Sequence, residues 1–336
     1  MDGTIKDQRE YDLFGPWIDE VRTPEDIPRL YRPHELDLAR TRLVLKVPRN
    51  IARRDATPAM DLYDHLLVLE EDLRLTVLSR RPVRGRRKGH AGDGAPYDTH
   101  QMIASDITGI RTTVSLLDGR LTVLAGTVPA LHVRFNGAGR PQIHRLVNEL
   151  IAAVSTPPRT PLGAALLSAS PRYTGAPPRG DLANDLSLIS DFTDAVRERP
   201  ALEACAWHGR RELVTAGGGA AALLHKAVHA LRPVMLQGAV LARTEGTLEL
   251  FTRHDWLLPR ADPVHSSSHV VVPLARLEGV SAEPHPRYDG VDVVVLNGGA
   301  EPTTLLLPGD STARALLAAA TRAAAPHVRG PAPAVA

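Results

Sequence analysis

A strand-and-turn pattern that occurs twice constrains this 336-residue chain more than any other feature. "YDHLLVLEEDLRLTVLSRR" (63–81) and "LQGAVLARTEGTLELFTRH" (236–254) each run from an apolar stretch through a short acidic turn into strict alternation. Leu73, Leu75 and Val77 alternate in one, Leu248 and Leu250 in the other, which predicts a hairpin with one buried face. "ASDITGIRTTVSLLDGRLTVLAG" (104–126) and "LARLEGVSAEPHPRYDGVDVVVLNG" (274–298) form a second pair. In these, Asp118-Gly119 and Asp289-Gly290 carry the hairpin-turn signal, because both residues tolerate the left-handed conformation that such turns need.

Each copy closes alike. "ALHVRFN" and "TTLLLPG" read as last strands, and "RPQIHRLVNELIAAV" and "STARALLAAATRAA" as helices. Ile143, Val147, Leu150, Ile151 and Val154 fall on one helical stripe, and Ser311 is placed to cap the second helix. A run of strands followed by one amphipathic helix resembles a pleckstrin-homology-like (PH-like) domain, in which a bent antiparallel sandwich is plugged by its C-terminal helix. "VLKVPRNIARRDATPAMDLYDHLLVL", with "ITGI" and "LLDGRLTV", is also similar to an uncharacterised bacterial family of this type. The resemblance implies an α+β, mainly β chain: two PH-like antiparallel β-sandwich or barrel domains, each closed by its helix. The expected division is an aromatic N-terminal segment (1–34), domain one (35–156), a linker rich in Pro, Gly and Ser (157–185), domain two (186–326) and a tail (327–336). Domain two carries an inserted Ala-rich helix at 219–231, entered through "AGGGAA", which lacks the Gly-Lys-Ser/Thr ending of a phosphate-binding loop.

The formal net charge is only +2, so attraction to polyanions has to be local. The local candidate is "SRRPVRGRRKGH" (79–90), where Arg80, Arg81, Arg84, Arg86, Arg87 and Lys88 cluster between two strands. In membrane-binding domains of the resembling fold, cations on a β–β loop grip anionic headgroups, which implies weak peripheral contact here. This loop has no aromatic platform before Tyr97, which argues against single-stranded nucleic acid. A solvated connection is the plain alternative. The polar, acidic start and the lack of a long apolar run predict a cytoplasmic protein, at most peripheral at the inner membrane face.

Aromatics make up 4% of the chain, yet Tyr11, Phe14 and Trp17 sit together, expected either to fill a groove on domain one or to dock another protein or subunit. His254, Asp255, Asp262, His265 and His269 form the one ligand-like cluster, but Pro259 and Pro263 break the helix that would align the last two. The lone Cys205 alternates with apolar neighbours as a core residue does, and rules out an internal disulfide. No catalytic or cofactor motif is present. The expectation is therefore a non-catalytic scaffold or adaptor acting through protein contacts, without a cofactor; the alternative is a metal-dependent hydrolase with its site in loop 254–269.

Overall fold

The structure, a computed structural model, describes residues 2–81, 95–216, 233–260, 265–299 and 301–325. Strand outweighs helix, 39% against 26%, so the chain is mainly β. It forms several antiparallel sheets, and among the described residues none closes into a barrel, which removes that half of the sandwich-or-barrel expectation. The chain divides into two compact units: Met1–Thr156 with Val264–Val271 and Gly299–Glu301, and Pro157–Pro263 with Val272–Gly298 and Pro302–Ala336.

The first unit opens with α1 (Asp2–Leu13) and the short β1 (Asp19–Glu20). There follow β2 (Thr41–Pro48), β3 (Tyr63–Glu70), β4 (Arg74–Arg80) and β5 (Tyr97–Ile103), which pair in that order as an antiparallel sheet with β1 outside β2. β6 (Ile107–Ser115), β7 (Asp118–Ala125) and β8 (Leu131–Asn136) form a meander, and α2 (Arg140–Val154) closes the run. The stripe read from α2 is buried throughout, with Leu146 added to it.

β2 explains why this unit has three layers. Leu43, Leu45 and Val47 face the core shared with β6–β8 and α2, whereas Val44 faces a second core with Phe14, Tyr31, Leu66 and Leu78. A strand buried on both faces reads as a continuous apolar run, and "LVLKV" is one, interrupted only by Lys46. The second face is covered by the N-terminal segment, whose Phe14 meets Tyr63 edge-on at 6.3 Å.

One turn differs from its sequence signal. The β6–β7 connection is Leu116-Leu117, with Leu116 at φ 54°, and Ser115 pairs with Asp118. Asp118-Gly119 therefore opens β7 instead of making the turn. Gly119 is needed for packing: a Cβ there would lie 2.4 Å from the Phe135 ring. At the equivalent Asp289-Gly290 the signal holds, since Gly290 adopts φ 73°.

In the second unit the stretch read as a linker contains a helix, α3 (Pro161–Ala169), capped by Thr160, whose hydroxyl accepts from Gly163 N–H. Leu162, Leu166 and Leu182 are buried, so apolar anchors are spaced through a segment whose Pro and Gly content masked them. α4 (Leu186–Glu198) follows, then β9 (Glu203–His208) and the short β10 (Arg211–Glu212) and β11 (Val214–Thr215). Next come β12 (Val234–Leu236), β13 (Ala239–Arg243), β14 (Thr247–Thr252), β15 (Leu257–Pro259) and β16 (Ser266–Pro273). β17 (Gly279–Pro284), β18 (Tyr288–Asp289), β19 (Val291–Asn297), β20 (Thr303–Pro308) and α5 (Thr312–Ala324) complete it. Ser311 caps α5 as expected, accepting from Arg314 N–H at 3.2 Å. Buried ion pairs fix α4 and its flanks: Arg199 grips Glu249 through two bonds of 2.5 and 2.7 Å, and Asp185 both caps α4 and binds Arg253.

The element order repeats. β6, β7, β8 and α2 begin at Ile107, Asp118, Leu131 and Arg140; β17, β19, β20 and α5 begin at Gly279, Val291, Thr303 and Thr312, about 170 residues on. β16 stands where β5 stands in the first run. Yet Ser266–Val271 lies antiparallel to β6, from Ser266 opposite Ser115 to Val271 opposite Ile110, and Val271 enters the first unit's core. The inserted helix expected at 219–231 lies outside the described residues, as does the tail 327–336.

Candidate binding site

The site is built where the N-terminal segment crosses β2. Thr23 opens a helical turn, and its N–H and hydroxyl both reach Asp26, at 3.1 and 3.0 Å. Arg29 N–H is accepted by Glu10 at 2.9 Å, tying α1 to the following loop. Between α1, this loop and β2 lies a cleft of about 250 Å³, lined among others by Arg9, Glu10, Asp26, Arg32, Lys46 and Tyr63.

Lys46 sits at its base, 7% exposed, with its ammonium 5.4 Å from the Tyr63 ring centre. Among the described residues no carboxylate comes within ion-pair distance of it, and no acceptor takes its protons. Two of the acids around it have other partners, Asp26 in its own loop and Glu10 at Arg29 N–H. Asp26 is held below the usual carboxylate range: burial alone would raise it, but the Thr23 and Arg22 donors outweigh that. Glu10 is pushed up by burial, against the Arg29 N–H and the charges of Arg29, Arg32 and Lys46. Asp19, opposite Lys46 in the β1–β2 register, is also pushed up by burial. Tyr63 is raised too, chiefly by burial and then by Asp19 and Glu10, and stays a neutral phenol. The arrangement offers a cation on a buried side chain and a neutral hydroxyl-bearing ring to whatever enters.

The expected site residues fare differently. Phe14 is buried and Tyr11 half-buried against the same core, with Arg53 stacked 5.0 Å over the Tyr11 ring. Trp17 is 53% exposed, so the expectation that it fills the groove with Phe14 is corrected. Its ring lies over the backbone of Gly15, where a Cβ would come within 2.6 Å. Arg80 belongs to β4 and binds Asp64 at 2.8 Å, while Arg81 binds Asp98 at 2.6 Å. Both cations serve the sheet end first. Arg84, Arg86, Arg87 and Lys88 lie outside the described residues.

His254 and Asp255 belong to the second unit and lie 3.8 Å apart; His265 and His269 belong to the first; Asp262 lies outside the described residues. Among the described residues no three His, Cys, Asp or Glu side chains converge as metal ligands. Cys205 is buried, bonded to the Leu241 carbonyl, and its thiol is pushed up to about 12 by desolvation, which makes it unreactive at neutral pH.

The sequence reading passed over Lys46. Its signal was available as a single cation inside an apolar strand, but the residue becomes buried only once a segment from outside the repeat covers that face. Among the described residues no helix is long and apolar enough to cross a membrane. No family model matches the chain, nor does any curated protein or solved structure.

Proposed function

We propose that the chain is a non-catalytic scaffold or adaptor, built from two PH-like units and working through contacts with other proteins. Support for the PH-like reading is the order of elements: a run of strands, then a three-stranded antiparallel set, then one amphipathic helix, met twice along the chain. The observation that carries the adaptor reading is β5. All seven of its residues pair with β4, and among the described residues no strand takes its other side. Thr99, His100 and Gln101 are exposed at its centre. An edge of this length offers unpaired main-chain donors and acceptors to an extended peptide, which gains affinity from the ladder and specificity from alternate side chains.

Proline substitution along β5 tests this. Successive N–H groups of an antiparallel strand point alternately to the neighbour and away, so one of Thr99→Pro and His100→Pro removes only an outward donor. Peptides selected from a random display library against the full chain should be extended and alternating in pattern. They should lose binding to that outward variant while it melts close to the wild type. Selection of peptides that bind wild type and variant equally would sink the sheet edge as the docking surface.

A further inference from the structure

We propose that the cleft over β2 is a binding site for a small monoanion, a carboxylate carried on an apolar body, with Lys46 as its counter-ion. The site is separate from the β5 edge and does not depend on the adaptor reading.

The case begins with position 46. Val44 and Leu66 show that this face of the sheet is core, and Lys46 is in step with Val44, so an apolar residue is the cheapest occupant. Lys46 is buried as a residue, 7% exposed, and among the described residues its ammonium touches no counter-ion, so an anion that reaches it supplies the missing partner. Tyr63 supplies only the weaker attraction of a ring face. Two acids lining the cleft are engaged elsewhere: Asp26 by three donors of its own loop, and Glu10 by Arg29 N–H. Arg9 has no partner among the described residues and stands at the exposed rim.

The same lining decides the ligand class. Arg9, Arg32 and Lys46 are balanced in formal charge by Glu10, Glu25 and Asp26. Such a cleft accepts one negative charge at the buried end and disfavours two, which selects a carboxylate over a phosphate dianion. Leu13, Ile27 and Tyr63 line the remainder, so the carboxylate arrives on a hydrocarbon or aromatic body. At about 250 Å³ the cleft is below the common range for drug-sized ligands, which restricts that body to a short chain or a single ring.

Hexanoate, hexylamine, hexanol and inorganic phosphate, titrated against the full chain, test the proposal. Hexanoate near saturation should raise the melting temperature by about 2–4 °C and shift amide resonances of residues lining the cleft. The amine, the alcohol and phosphate should do neither. Lys46→Met, which places an apolar side chain of similar length at a core position, should melt at or above the wild type and lose the response. Should that variant not fold, Arg9→Gln at the exposed rim carries the test, with hexanoate affinity expected to fall at least threefold. The proposal is overturned if hexylamine or hexanol matches hexanoate, if phosphate does so, if hexanoate has no effect, or if both variants respond like the wild type.

Discussion

His208 at the end of β9 shows how one side chain sets a pH limit. It is 5% exposed, and burial, with the nearby Arg211 charge, pushes its pKa down to about 4. Nδ1 lies 3.2 Å from the Gly209 carbonyl and donates to it in the neutral ring. Because the folded pKa lies below the unfolded value near 6.5, the unfolded chain binds the proton first as pH falls. The neutral ring's contribution is complete above about pH 6.5 and is lost progressively toward about pH 4, a difference on the order of 3 kcal/mol. Glu10 and Asp19, raised by burial, act in the opposite direction around their own lower range, where the folded state holds protons longer. His208→Gln should flatten the loss of stability between pH 6.5 and 4.5 in urea titrations. An unchanged pH slope in that variant would show that other groups govern the acid limit.

At the scale of elements, α3 and the β6–β7 hairpin mark where local signals and packing part company. The Pro and Gly content of 157–185 reads as connector, yet Thr160 caps a helix whose third residue, Gly163, lies against the backbone of Leu274. A Cβ at Gly163 would sit 2.2 Å from the Leu274 carbonyl oxygen, and backbone atoms have nowhere to yield. Gly163→Ala should therefore destabilise the protein by about 1–3 kcal/mol, although alanine favours helix. Thermal melts beside Ala164→Gly, at an exposed position of the same helix, provide the check, since that change should cost about 1 kcal/mol or less. Equal effects would mean that helix propensity decides and the close approach does not. In the hairpin, Asp118-Gly119 carried the strongest turn signal of the first copy, but Phe135 needs the space over Gly119, and the turn falls on Leu116-Leu117 instead.

For the whole molecule, the first unit cannot be cut from the chain as one piece of sequence. Val264–Val271 belongs to it, pairs with β6 and sends Val271 into its core. A fragment of residues 1–156 leaves β6 with an open edge, so it should melt lower than the intact protein or aggregate. Trypsin should cut at Arg172 or Arg179, which lie in the exposed run after α3, and should spare α3 itself. A fragment 1–156 that stays monomeric and melts with the intact protein would show that 264–271 is dispensable.

What the sequence determined by itself is what neighbours along the chain decide. Alternation marked β4 and β14, the 3.6-residue stripe marked α2, and Ser311 marked the start of α5, because each signal is set within a few residues. The repeat added the order of elements. Only the tertiary structure decided that Phe14 goes in while Trp17 stays out, that 266–271 serves the first unit, and that Lys46 is buried under α1 and its loop. Those outcomes depend on which distant segment covers a given face of a sheet. Strand alternation states that a face will be covered, but it carries no record of what covers it.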